Sequence, residues 1–176
     1  MLVLAMASLA LAGCGSSSGS STSTSSDTSA SAGAAPSTKC PTENTKSFAK
    51  TKFVLHTGLA FGAFHRYLYK PFKAGTFKKG ASGRLRAFIK GGLAALFVKR
   101  EIRIASEDVK ANPTLCKLLA APLAKFGDLM GGLVNNLKGG DITSIGAAEE
   151  TLNTITSLAG GNGVNIKEDA NASLNG

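Results

Sequence analysis

The chain has 176 residues, with 43% apolar and 18% charged side chains, no Trp, 21 Gly, two His and three Cys. That length suits one domain with appendages and makes two domains a poor expectation, while so few His and Cys leave no ligand set for a zinc cluster, an iron–sulfur centre or a haem. The net charge of +9 is unevenly spread: residues 39–103 carry fifteen Lys or Arg against Glu43 and Glu101, and residues 104–176 carry five Lys against eight acids. A block of +13 beside a mildly acidic half predicts a surface that meets anions, and compartment decides which anions.

Met1–Ala12 reads MLVLAMASLALA, uncharged and apolar. It is too short for a bilayer span of about 20 residues and has the length of a signal-peptide apolar region. Leu11-Ala12-Gly13-Cys14 follows, and this tetrad resembles the lipobox of bacterial lipoproteins. The resemblance implies cleavage before Cys14, diacylation of the Cys14 thiol and display on the outer face of a membrane. It covers about the first 15 residues. The basic residues that usually precede such an apolar run are missing, as expected if the true start lies a few residues upstream.

Between Gly15 and Thr38, fifteen of 24 residues are Ser or Thr. So few apolar groups cannot offset the conformational entropy of ordering, so residues 14–39 are expected to be a disordered linker with a root-mean-square span on the order of 25 to 30 Å. The order of signal, lipid Cys and Ser/Thr spacer resembles lipoproteins of high-GC Gram-positive bacteria. With residues 1–13 as signal and Cys14 acylated, Cys40 and Cys116 remain. Export permits a disulfide between them; the Cys-x-x-Cys spacing of redox or metal pairs is absent.

From Cys40 to Gly160 the apolar residues recur at helical steps of three and four, which predicts a mainly α domain over 40–160, a bundle of about four helices. The first covers about Ser47–Tyr69 and ends before Pro71. Its Gly58 and Gly62 weaken a helix by about 1 kcal/mol each, so a neighbour is expected to pack against them. Lys70–Gly83 reads as a basic connection holding Lys70, Lys73, Lys78 and Lys79. A second helix over Gly83–Ser106, capped by Ser82, places Leu85, Phe88, Ile89, Leu93 and Leu96 on one face, with Arg86, Lys90, Lys99, Arg100 and Arg103 supplying most of its polar surface. Such a cationic amphipathic helix can lie on anionic lipid, or it can simply bury its apolar face in a soluble bundle.

Asn112-Pro113 is a cap followed by Pro at the first helical position and predicts a third helix to about Lys138, kinked at Pro122. Gly139-Gly140 ends it. A fourth helix starts at Asp141 or Thr143, with Ile145, Ala148, Leu152, Ile155 and Ala159 inward. Residues 161–176 read as a polar, mobile tail.

No nucleophile elbow, phosphate-binding loop or His-Glu-x-x-His motif is present, so neither an enzyme nor a cofactor is expected. His65, Arg66 and Tyr69 are weak ligand candidates on the first helix; His56 and His65 lie about 13 Å apart along a straight helix, too far to share a metal. Glu107-Asp108 and Glu149-Glu150 read as solvated surface. The candidate anion contacts are Lys70, Lys73, Lys78, Lys79, Arg84, Arg86, Lys90, Lys99, Arg100 and Arg103. Export removes nucleic acid as a partner and leaves anionic lipid or an acidic wall polymer. The leading expectation is a non-enzymatic, membrane-anchored envelope lipoprotein. Its rivals are a module that holds another envelope protein in an apolar groove between the third and fourth helices, and a small-ligand carrier with a cavity at His65 and Tyr69.

Overall fold

A computed structural model describes residues 39–174 of the chain; Cys14, the apolar segment 1–13 and most of the Ser/Thr-rich segment lie outside the described residues. Pro36–Gly176 forms one compact unit, and every described core side chain belongs to it, so it contains what it needs to fold by itself. It is an all-helical bundle with elements α1 (Ala49–Phe64), a π-helical turn His65–Tyr69, α2 (Lys70–Lys73), α3 (Arg84–Lys110), α4 (Pro113–Gly139) and α5 (Ser144–Gly160).

The first rod runs through Pro71 instead of ending before it. Pro71 has no N–H to donate and its ring presses on the carbonyl four residues back; the π turn immediately upstream widens the helix, and the Lys70 N–H reaches back to the His65 carbonyl. Phe53, Phe61, Phe64 and Leu68 point inward, and Phe61 and Phe64 meet the Phe126 ring edge-on at 5.6 and 5.7 Å. Gly58 and Gly62 do have the expected neighbour. A Cβ at either would run into the carbonyls of Lys167 and Asp169, and the Asp169 N–H donates to the Gly58 carbonyl at 3.0 Å. The segment after α5 therefore lies across α1 and buries Val164, Ile166 and Ala172. Three apolar side chains hold a stretch that composition alone assigned to a polar tail.

α3 begins one residue later than expected and continues to Lys110. Ser82 does not cap it: Gly83 occupies the cap at φ 74°, with no side-chain hydrogen bond. The helix packs between α1 and α4. It runs antiparallel to α1, since Thr45 just before α1 donates to the Ala111 carbonyl just after α3.

Asn112 caps α4 as expected, its side chain accepting from the Leu115 N–H at 2.9 Å. α4 runs through Pro122 to Gly139 and buries Leu115, Leu119, Leu123, Phe126, Met130, Leu133 and Leu137. Asp141 accepts from the N–H and hydroxyl of Thr143; those two bonds favour the carboxylate and hold its pKa below the ordinary 3.8. α5 then buries Ile145, Ala148, Leu152, Ile155 and Ala159, the five residues its periodicity selects.

Cys40 and Cys116 form a disulfide, Cα to Cα 5.6 Å, across 76 residues of sequence. It pins the entry of the chain to the first turn of α4. By loop entropy a bridge of this length contributes about 4 kcal/mol. Reduction, or the pair Cys40→Ser and Cys116→Ser, is expected to lower the urea-denaturation free energy by about that amount, with helical circular dichroism retained before the transition. A change below about 1 kcal/mol would show that the bridge constrains little.

Candidate functional site

The outward side of α3 departs most from expectation. Leu85, Ile89, Leu93 and Leu96, chosen by the sequence pattern for one face, share that face, but it is turned to solvent: they are 75%, 57%, 54% and 52% exposed. At 3.6 residues per turn the four fall within about 80° of arc. The core side of the helix is instead Gly91, Ala94, Ala95, Val98, Ile102, Ala105 and Val109. The reason is steric. α3 is wedged between two helices, and a Cβ at Gly91 would come within 3.2 Å of Leu68 and 3.4 Å of Phe77; large side chains on that side would hold the neighbours away. Single exposed apolar residues are normal on soluble proteins, whereas a contiguous aliphatic stripe marks an interaction surface.

Cations border the stripe. Arg86, Lys90, Lys99, Arg100 and Arg103 are exposed on α3, Lys70 and Lys73 on α2, and Lys78 and Lys79 on the turn before α3. Arg84 is half-buried: its Nε donates to the Phe77 carbonyl at 3.0 Å and its guanidinium lies 4.7 Å over the Phe88 ring. None of these ten takes part in an ion pair among the described residues. Phe77 packs on Phe88 at 5.1 Å, which lays the basic turn beside the first turns of α3. All ten candidates are thus on α2, α3 and the turn between them, and six of them share α3 with the aliphatic stripe.

Beside the stripe, α3 and α4 leave a groove of about 610 Å³. Its far wall is Val134, Leu137 and Lys138 of α4, residues the sequence reading did not assign to any site. It continues past Leu96 into a depression of about 500 Å³ lined by Lys99, Arg100, Arg103 and Lys110, and also by Glu107 and Asp128. The apolar groove lies between α3 and α4, the second and third of the helices expected from sequence. Leu133, Leu137, Ile145 and Leu152 of α4 and α5, the third and fourth, are buried; the groove lies one helix earlier than expected.

His65 and Tyr69 pack ring against ring at 5.4 Å, and His65 shares a recess with Arg66. The His65 ring is clamped by Glu149 at Nε2 and by Glu168 at Nδ1, both at 2.7 Å. Both ring nitrogens are therefore engaged, and the imidazole ties α5 and the C-terminal segment to the π turn. Arg66 lies over Tyr67, and Tyr69 stacks on Phe64. The nearby recess of about 240 Å³ is lined by His65, Arg66 and Lys70 but not by Tyr69. Nor are the paired acids all solvated: Glu149 serves His65, and Asp108 is buried with Lys46 3.9 Å away. No group of three or more His, Cys, Asp or Glu among the described residues could hold a metal ion.

His56 is the second structural imidazole, its Nδ1 2.7 Å from a Glu101 carboxylate that is 5% exposed. Removing one partner leaves a buried polar group without its hydrogen bond, a penalty of about 1 to 3 kcal/mol. His56→Ala is expected to cost about 1 to 3 kcal/mol and the double variant with Glu101→Ala less than the sum of the two single losses, a coupling read by a double-mutant cycle in urea. Additive losses would mean the pair contributes no coupling.

No helix among the described residues is long and apolar enough to cross a membrane. No protein-family model, curated protein or solved structure matches the chain.

Proposed function

We propose that the protein is a membrane-anchored lipoprotein of the cell envelope, tethered through a lipid on Cys14, and that its folded domain is a non-enzymatic module whose α3 face rests on the anionic membrane surface. The observation that carries this reading is the exposed stripe Leu85, Ile89, Leu93 and Leu96 with unpaired cations around it. An acidic wall polymer gains nothing from four aliphatic side chains, whereas the boundary between headgroups and acyl chains takes both features at once. Burying the exposed part of each aliphatic side chain is worth about 1 kcal/mol. Each Lys or Arg close to an anionic leaflet adds roughly 1 kcal/mol.

The tether supports the same reading. The disulfide fixes the start of the domain near residue 116, and the stripe lies about 20 residues back along α3 from that end, roughly 30 Å by helical rise. On this reading, a flexible chain as long as the stretch between Cys14 and Cys40 spans a distance of the same order. The domain can therefore lie along the surface while its anchor stays inserted. A diacyl anchor already makes residence stable, so the second contact serves to orient the domain on the leaflet.

Capture of another envelope protein is the second reading, favoured by the α3–α4 groove, and it predicts binding that salt leaves unchanged.

Two measurements test the proposal. The mass of the protein from its own membrane fraction is expected to lack the first thirteen residues, to carry diacylglyceryl on Cys14 and to gain two protons on reduction; an unprocessed, reduced chain would return the basic half to nucleic acid. The 36–176 domain is expected to sediment with phosphatidylcholine vesicles containing phosphatidylglycerol and not with phosphatidylcholine alone. Salt should weaken this binding as the Debye length falls from about 10 Å at 0.1 M to about 3 Å at 1 M. Ile89→Glu with Leu93→Glu should abolish it without loss of helicity. Equal sedimentation with both vesicle types at low salt rules out the electrostatic contribution.

A further inference from the structure

We propose that the groove between α3 and α4 is a binding site for one long-chain fatty carboxylate, its acyl chain along the groove and its head at Arg84 and Lys138. This goes beyond adsorption to a surface, because it assigns a single ligand to one open groove of the fold.

The first argument is Gly92. A glycine inside a helix costs about 1 kcal/mol relative to alanine, so a reason is expected for it. Gly91 has one, in the close approach of Leu68 and Phe77; Gly92 has none in packing, since a Cβ there would meet nothing within 4 Å. Gly92 instead lines the groove. Its missing side chain leaves open the middle of a channel whose walls are Leu85, Ile89 and Leu93 on one side and Val134 and Leu137 on the other. From Leu85 to Leu96 the channel is about 17 Å long by helical rise, which suits an extended acyl chain. Its volume of about 610 Å³ is that of an ordinary small-molecule site.

The second argument is charge. At the end where α3 starts and α4 stops, Arg84 and Lys138 flank the groove and no acidic residue lines it. The Arg84 side chain is already held by the Phe77 carbonyl and the Phe88 ring, while its terminal nitrogens make no hydrogen bond to the described residues. A guanidinium fixed in this way presents a planar fork that fits a carboxylate. Lys138 is in no ion pair among the described residues. The opposite end, past Leu96, mixes Lys99 and Arg100 with Glu107 and Asp128. That mixture selects the Arg84 end for the head.

The test uses the 36–176 domain and cis-parinaric acid, an intrinsically fluorescent fatty acid, below its aggregation concentration and without vesicles. Saturable binding is expected, displaced by palmitate and more weakly by hexadecanol. Gly92→Phe places a ring in the channel and is expected to weaken binding by more than about tenfold, the equivalent of excluding a few methylenes, with helicity and melting unchanged. Lys138→Glu should weaken the acid by about threefold or more while changing hexadecanol less than about twofold. Parinarate binding that Gly92→Phe leaves intact, or no saturable binding at all, overturns the site; equal displacement by palmitate and hexadecanol overturns the assignment of the head. Sedimentation with anionic vesicles but no binding of the free acid overturns this inference and leaves the surface reading standing. Gly92-dependent binding of the acid by a domain that ignores vesicles supports the inference and overturns the surface reading.

Discussion

The placement of α3 is the constraint on which the other features depend. It touches α1 on one side and α4 on the other, and a helix with two close neighbours can approach both only if its inward positions are small. Gly91, Ala94, Ala95, Val98 and Ala105 meet that requirement, and Ile102 and Val109 are the larger apolar side chains on the same side. Once the inward positions go to small residues, the large aliphatic ones of the same helix have only the outside left. The exposed stripe, the groove against α4 and the cations beside both follow from that allocation.

Three imidazole–carboxylate contacts and one disulfide hold the frame around α3. His56 with Glu101 ties α1 to α3, His65 with Glu149 and Glu168 ties the π turn to α5 and the C-terminal segment, and Cys40 with Cys116 closes the entry of the chain. Each joins segments distant in sequence. Both imidazoles are thereby engaged as fasteners, which accounts for the only His residues in the chain without invoking chemistry. A buried polar group that loses its hydrogen-bond partner is costly to leave unpaired, so these contacts fix which helices are neighbours as well as how strongly they adhere.

The fold was legible where one signal was unopposed. Asn112-Pro113 has only one structural use, and α5 has one apolar face and one neighbour of consequence; both came out as read. The disulfide followed from counting once Cys14 was set aside. α3 was misread because it has two apolar faces, one of small and one of large residues, and hydrophobicity weights the large ones. The signal that distinguishes them was present: Gly91, Ala94, Ala95 and Val98 recur at the same helical steps as Leu85, Ile89, Leu93 and Leu96. The C-terminal segment escaped for a different reason. Val164, Ile166 and Ala172 are too few for any periodicity, and the place they fill is made by the absence of side chains at Gly58 and Gly62, more than a hundred residues earlier.

On the proposed reading, the anchor supplies residence and the helix orients the domain. An acyl anchor sets a local concentration for the domain that hosts it, and with a linker of this length the second contact becomes intramolecular, so even a weak surface contact is populated most of the time. The α3 face suits that regime. Its aliphatic side chains are half exposed, and exposure on this scale is tolerable in the free domain because the stripe is narrow and bordered by charge. A larger stripe would drive self-association, and a purely basic face would release the leaflet at high ionic strength. The mixture of the two, placed on the one helix whose inner face is committed to small residues, gives a contact that charge orients and apolar burial retains.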